Sequence, residues 1–154
     1  ETFPDACVVQ THRDPAKALP SLCSVLAMSR KVLEGDGVRL SNIGRRECEY
    51  WSNAVERAAR VRERHSPRQF FDVDHRRFHS EPMRVVSDLY SHFGLELDAH
   101  VAVTMRAWLD EHPANRLGEH RYTAEQFDLD PAAIRARFGS YSRRHGLDRP
   151  TPGF

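Results

Sequence analysis

The sequence predicts an α/β fold, mostly helical with a few parallel strands. Three observations carry that expectation: the apolar run Cys7-Val8-Val9, the run Gln69-Phe70-Phe71-Asp72-Val73, and the long stretch between them with apolar residues at helical spacing. A short continuous run rich in β-branched residues suits a strand covered on both faces, as parallel strands are. Strand, long helical excursion, strand is the connectivity that lays two strands side by side in parallel.

The elements follow in order. After the first strand, Asp14 is a good N-cap and Pro15 a good first helical residue. Leu22, Val25, Leu26, Ser29, Val32 and Leu33 then fall on one helical face, and Gly35 is placed to end the helix. Pro20 lies past the first turn, where it removes a backbone hydrogen bond, so a kink or a late start is expected there. Such a start beyond a buried strand is a common anion site, because its amide donors lack partners within the helix. Gly35-Asp36-Gly37 reads as a loop, and Ser41 or Asn42 as the cap of a helix from about Ile43 to Arg64. Its apolar face is Trp51, Ala54, Val55, Ala58, Ala59 and Arg62. Its arginines, Arg45, Arg46, Arg57, Arg60, Arg62 and Arg64, are interleaved with Glu47, Glu49, Glu56 and Glu63, which reads as a solvated, ion-paired face.

Ser66-Pro67 breaks that helix, and the second strand follows. Asp74 to Phe78 reads as a linker, and Ser80-Glu81-Pro82 as a capped start for a helix with Val85, Val86, Leu89, Tyr90 and Phe93 inward and Gly94 at its end. His75 and His79 have the spacing of a metal pair, but no third ligand is in view and no metal site is assigned. Asp98 caps a helix carrying Val101, Met105, Trp108 and Leu109, with Met105 and Trp108 expected in the core and Pro113 as the stop. Thr123 with Gln126 makes a capping box, and Asp130-Pro131 starts a last helix with the stripe Ile134, Phe138 and Tyr141. The stretch 148–154, with two prolines and a glycine, is expected to be a mobile tail after one domain over 1–147.

A chain of 154 residues is the size of one ordinary domain. Its formal net charge of +1 gives no electrostatic argument for a nucleic-acid or anionic membrane partner, so any anion site must be local. No apolar run approaches the roughly 20 residues of a membrane span. Three cysteines, Cys7, Cys23 and Cys48, have no metal-like spacing, and reduced thiols in a cytoplasmic protein are expected. The chain begins at Glu1, with its first strand almost at once, and is read as a piece of something longer.

Val9-Gln10-Thr11-His12-Arg13-Asp14-Pro15, followed by Pro20-Ser21, resembles the segment of the sulfotransferase superfamily that grips the 3'-phosphate of 3'-phosphoadenosine 5'-phosphosulfate (PAPS). In that family a strand ends in an arginine, an acidic or amide residue and a proline, and a serine eight residues after the arginine shares the phosphate. The chemistry suits the role, since a guanidinium presents a planar fork to phosphate oxygens and a hydroxyl adds a rotatable donor. Phe70 to Gly94, ending in Tyr90-Ser91-His92-Phe93-Gly94, is similar to a scaffold segment of bacterial and tyrosylprotein-type members, and the resemblance runs from Phe3 to Tyr141. Arg116-Leu117-Gly118 is similar to a late Arg-Lys-Gly loop that returns to the same phosphate, without its lysine.

The resemblance implies the C-terminal part of a P-loop-like α/β sulfotransferase fold, with Arg13, Ser21, Arg116 and Gly118 as cofactor-binding residues. It implies PAPS, or the product 3',5'-bisphosphoadenosine, as cofactor. The implied reaction moves a sulfuryl group to a hydroxyl or amine of a small-molecule, sugar or lipid acceptor, without a metal. The family's 5'-phosphosulfate loop and its usual catalytic histidine or glutamate lie upstream of the arginine strand, so no catalytic residue is assigned and this piece alone is expected to be inactive. His12, beside Arg13, is given no catalytic role. Two other readings stay open: another phosphate-binding α/β enzyme fragment, and a helical interaction module docking through the arginine-rich helix.

Overall fold

The protein is described from a computed structural model covering residues 3, 5–112 and 122–148. It divides into two compact units: residues 1–12 with 65–120, and residues 13–64 with 121–154.

The first unit holds the sheet. Strands β1 (Val8–His12) and β2 (Phe70–Asp74) pair in parallel, in a register that sets Val8 opposite Phe70 and His12 opposite Asp74. The parallel pairing is as the connectivity dictates. The expected coverage of both faces is not found: Val8 and Val9 are exposed, because among the described residues β1 has a single strand neighbour. Beyond β2 the chain is helical where a plain linker was expected. Asp74 accepts from the Arg76 amide at 2.8 Å and so caps α3 (His75–Ser80). Helix α4 (Pro82–His92) starts on Pro82 with no side-chain cap, so Ser80 and Glu81 do not act as one. It ends where Gly94 adopts a positive φ of 67°, which glycine reaches without Cβ strain. Val85 is its buried residue, and Phe93 packs its ring near Phe71 of β2. Helix α5 (Ala99–Glu111) is capped by Asp98, whose carboxylate accepts from the His100 and Val101 amides at 2.8 and 3.1 Å.

The second unit is helix on helix. Helix α1 (Pro15–Glu34) begins at Pro15, not late, and runs through Pro20. Its buried stripe is Ala16, Leu19, Pro20, Cys23 and Ala27, while Val32 and Leu33 of the expected stripe are 86% and 82% exposed. Leu26 of the expected stripe does pack against the core. Helix α2 (Leu40–Arg62) begins after Arg39, with Ser41 and Asn42 inside its first turn rather than capping it. It buries Ile43, Gly44 and Ser52, with Cys48 and Val55 against the core; Trp51, expected inward, is exposed.

A 3-10 turn over Glu125–Phe127, α6 (Pro131–Arg137) and α7 (Gly139–Arg144) complete this unit. The capping box survives in part, since the Thr123 amide donates to Gln126 Oε1 at 3.2 Å, but it opens a 3-10 turn and not an α-helix. The last helix is two: α6 closes at Phe138 and α7 starts on Gly139, a poor helix interior residue. The core gathers Leu19, Cys23, Ile43, Phe127, Ile134 and Phe138. A polar tie runs through it, with Arg137 donating to Ser52 Oγ at 2.8 Å while Ser52 donates to the Glu49 carbonyl at 2.9 Å. The arginine-rich face of α2 includes the ion pairs Arg46 to Glu47 at 3.6 Å and Arg144 to Glu63 at 3.9 Å.

Candidate anion-binding site

A cavity of about 300 Å³ opens beside the start of α1, lined by Arg13, Ala16, Lys17, Pro20, Tyr122 and Ala124. Two cations four residues apart thus share one hollow. The strand-to-helix turn delivers Arg13 just before the cap, and the first turn of α1 delivers Lys17. The opposite wall comes from Tyr122 and Ala124, next to the 3-10 turn that Phe127 anchors in the core.

Asp14 decides the electrostatics. One carboxylate oxygen accepts from the Ala16 amide at 2.9 Å, and the other accepts from Arg135 at 3.1 Å, so Asp14 is the cap of α1 and the partner of α6. It is not the ion partner of Arg13. Among the described residues neither the Arg13 nor the Lys17 side chain has a hydrogen bond or an ion pair. The expectation of unpartnered amide donors is corrected here: Pro15 has none, and the Lys17 and Ala18 amides both donate to the Asp14 carbonyl at 2.9 Å. An anion in this cavity is therefore met by side chains.

Of the residues expected at the site, Arg13 lines the cavity. Ser21 stands one turn beyond Lys17, half-buried and off the lining, with its carbonyl accepting from Ser24 Oγ at 2.7 Å. Arg116 and Gly118 lie outside the described residues, as does Pro113. Lys17 and Tyr122 were not among the expected site residues. Lys17 carried a signal, a cation one helical turn from Arg13.

His12 is 2% exposed, with its Nε2 2.7 Å from Asp72 Oδ1, so the neighbouring strands are joined by a side-chain bond as well as their backbones. On α3 the rings of His75 and His79 face each other, with their Nε2 atoms 3.2 Å apart. In the first unit a second cavity of about 330 Å³ is lined by apolar groups, among them Phe78, Met83, Val86, Met105 and Leu109. Trp108 on its wall is 57% exposed and stacks on His112, so Trp108 and Met105 are cavity wall rather than filled core.

Of the three thiols, Cys23 is fully buried, Cys48 is half-buried against the core and Cys7 is exposed. Burial, reinforced by the charge of Glu47, pushes the Cys23 thiol up to about 11. No helix among the described residues is long and apolar enough to cross a membrane.

Residues 1–99 match the sequence profile of the Sulfotransferase family. The structure is similar to that of sulfotransferase STF9 from Mycobacterium avium, with a TM-score of 0.83 and 28% identity over 99% of this chain and 38% of that one. It is also similar to sulfotransferase STF1 from Mycobacterium tuberculosis H37Rv, with a TM-score of 0.73 and 30% identity over 90% of this chain and 34% of that one. No curated protein matches the chain. The chain therefore spans little more than a third of the length of either solved sulfotransferase. With the family profile covering more than half of its residues and the fold shared with both enzymes, the chain belongs to the sulfotransferase family and has its P-loop-like α/β fold.

Proposed function

We propose that this chain supplies the 3'-phosphate-binding half-site of a sulfotransferase that uses PAPS and acts on a hydroxyl or amine of a small-molecule, sugar or lipid acceptor. The observation that carries this reading is the cavity at the β1-to-α1 turn, where Arg13 stands without a carboxylate partner among the described residues. A guanidinium fork in a concave site suits phosphate oxygens, and a dianion there gains two charge-assisted contacts. Ser21, one turn beyond Lys17 on α1 and off the cavity lining, is proposed as a further hydroxyl donor to the phosphate. Arg116 and Gly118 are proposed to return to the same phosphate.

When bound, PAPS supplies the activated sulfuryl group. Arg13 holds the far end of that molecule and so fixes its register, which is a positioning role distant from the reacting sulfur. The residues that stabilise the sulfuryl oxygens and take the acceptor's proton belong, in this reading, to other parts of a longer protein, and the chain by itself does not turn over. The match to only about a third of the length of each solved enzyme supports that division. The reduced thiols and the lack of a long apolar helix among the described residues fit a cytoplasmic protein, which is proposed with the rest.

Competition binding tests this. A fluorescent or radiolabelled 3',5'-bisphosphoadenosine is displaced from the chain by its unlabelled form far better than by ATP or AMP, and Arg13→Ala removes that preference. Equal displacement by all three nucleotides would overturn the proposal in favour of a general phosphate site.

A further inference from the structure

We propose that Lys17 is the second anchor of the anion in the Arg13 cavity and sets the selectivity of this pocket for a phosphate monoester dianion. The inference rests on reading that cavity as the 3'-phosphate site, and it deepens that reading by adding a residue.

The cavity presents two positive side chains, Arg13 and Lys17. The backbone of α1 adds nothing to them, because Pro15 has no N–H and the Ala16, Lys17 and Ala18 amides are all satisfied by Asp14. Asp14 forms no ion pair with either among the described residues, its two carboxylate oxygens accepting from the Ala16 amide and Arg135. Ser21 lies off the lining and brings a hydroxyl without charge. Among the described residues, charge matching within the cavity thus falls to one fork and one ammonium. A guanidinium fixes the orientation of two oxygens, and an ammonium on a four-carbon stem acts as a mobile point charge that follows the third. Two cations favour a doubly charged monoester over a singly charged diester or sulfate ester. The exposure of Lys17 on the first turn of α1 leaves its stem free to swing toward the cavity.

Calorimetric titration of the protein with 3',5'-bisphosphoadenosine and, separately, with adenosine 5'-phosphate tests this on the unsubstituted chain and on Lys17→Met, Lys17→Arg and Arg13→Ala. Lys17→Met is expected to weaken the bisphosphate about tenfold, the scale of one lost charge-assisted hydrogen bond, and to change the 5'-phosphate by less than about twofold. Lys17→Arg keeps most of the affinity. A purely structural role for Lys17 would weaken both nucleotides alike or show as a lowered melting temperature. Unchanged bisphosphate affinity in Lys17→Met, with affinity lost in Arg13→Ala, would overturn the role of Lys17 while the phosphate site stands. If the unsubstituted chain binds neither nucleotide, or Arg13→Ala changes nothing, the site reading fails and this inference with it.

Discussion

Gly44→Ala is the substitution that most directly tests how the wall of the cavity is held. Gly44 lies in the first third of α2, and a Cβ placed there would sit 2.1 Å from the carbonyl oxygen of Phe127. Real Cβ atoms do not come closer than about 3.0 Å, so α2 and the 3-10 turn must separate by roughly 0.9 Å. The obstacle is backbone, which cannot rotate away as a side chain would, and Phe127 is itself buried in the core. Overpacking of this kind costs about 1–3 kcal/mol, and replacing a helix-interior glycine with alanine returns about 1 kcal/mol. The net expectation is a loss of up to about 2 kcal/mol. For a chain of this length that lowers the melting temperature by up to about 8 °C. Gly37→Ala is the control, since nothing lies within 4 Å of a Cβ there, and it should stay within about 0.5 kcal/mol of the parent. Thermal melts followed by circular dichroism, with urea titrations alongside, measure both. A Gly44→Ala protein that melts above the parent, as an unobstructed helix-interior alanine would, would refute the close approach of α2 to the 3-10 turn.

Three further outcomes are expected. Thiol alkylation at pH 8 should label exposed Cys7 readily and leave buried Cys23 unmodified until the chain unfolds, because a thiol near 11 is thiolate about once in a thousand molecules at that pH; equal labelling in the native state would contradict the packing of α1. Asp14→Ala removes the α1 cap and an exposed ion pair with Arg135, for an expected loss of about 1–2 kcal/mol in chemical denaturation, and no loss would show that the cap is idle. Hydrogen bonding from Arg76 lowers the Asp74 carboxyl below its ordinary 3.8, so its stabilising contribution is present above that value and is lost as the pH falls through the folded-state pKa. Asp74→Asn should therefore cost stability at pH 7 and cost less near pH 2, as read from melts across that range; a penalty independent of pH would mean that only the α3 cap matters.

What could be read from the sequence follows the strength of local signals. Asp14-Pro15, Asp98 and Asp130-Pro131 start helices where their carboxylates and fixed prolines demand, and Gly35 and Gly94 end helices with positive φ. The parallel pairing of β1 and β2 followed from the length of chain between them. Packing choices were less visible. On α1 two apolar stripes competed, and the choice between them depended on partners distant in sequence. The cap Asp74 was readable as such, yet six residues are too few for periodicity to announce α3. At the site, Arg13 was legible because it ends a strand before a capped helix. Ser21 took its place by resemblance, whereas Lys17 and Tyr122 depend on how the turn and the 3-10 segment curve around one hollow.

A crystal structure of the chain grown with 3',5'-bisphosphoadenosine is the most direct test of the proposal that the Arg13 cavity binds the 3'-phosphate. The 3'-phosphate is expected within hydrogen-bonding distance of the Arg13 guanidinium, with the Lys17 ammonium turned toward it. A nucleotide bound elsewhere, with the Arg13 cavity left to water, would overturn that proposal.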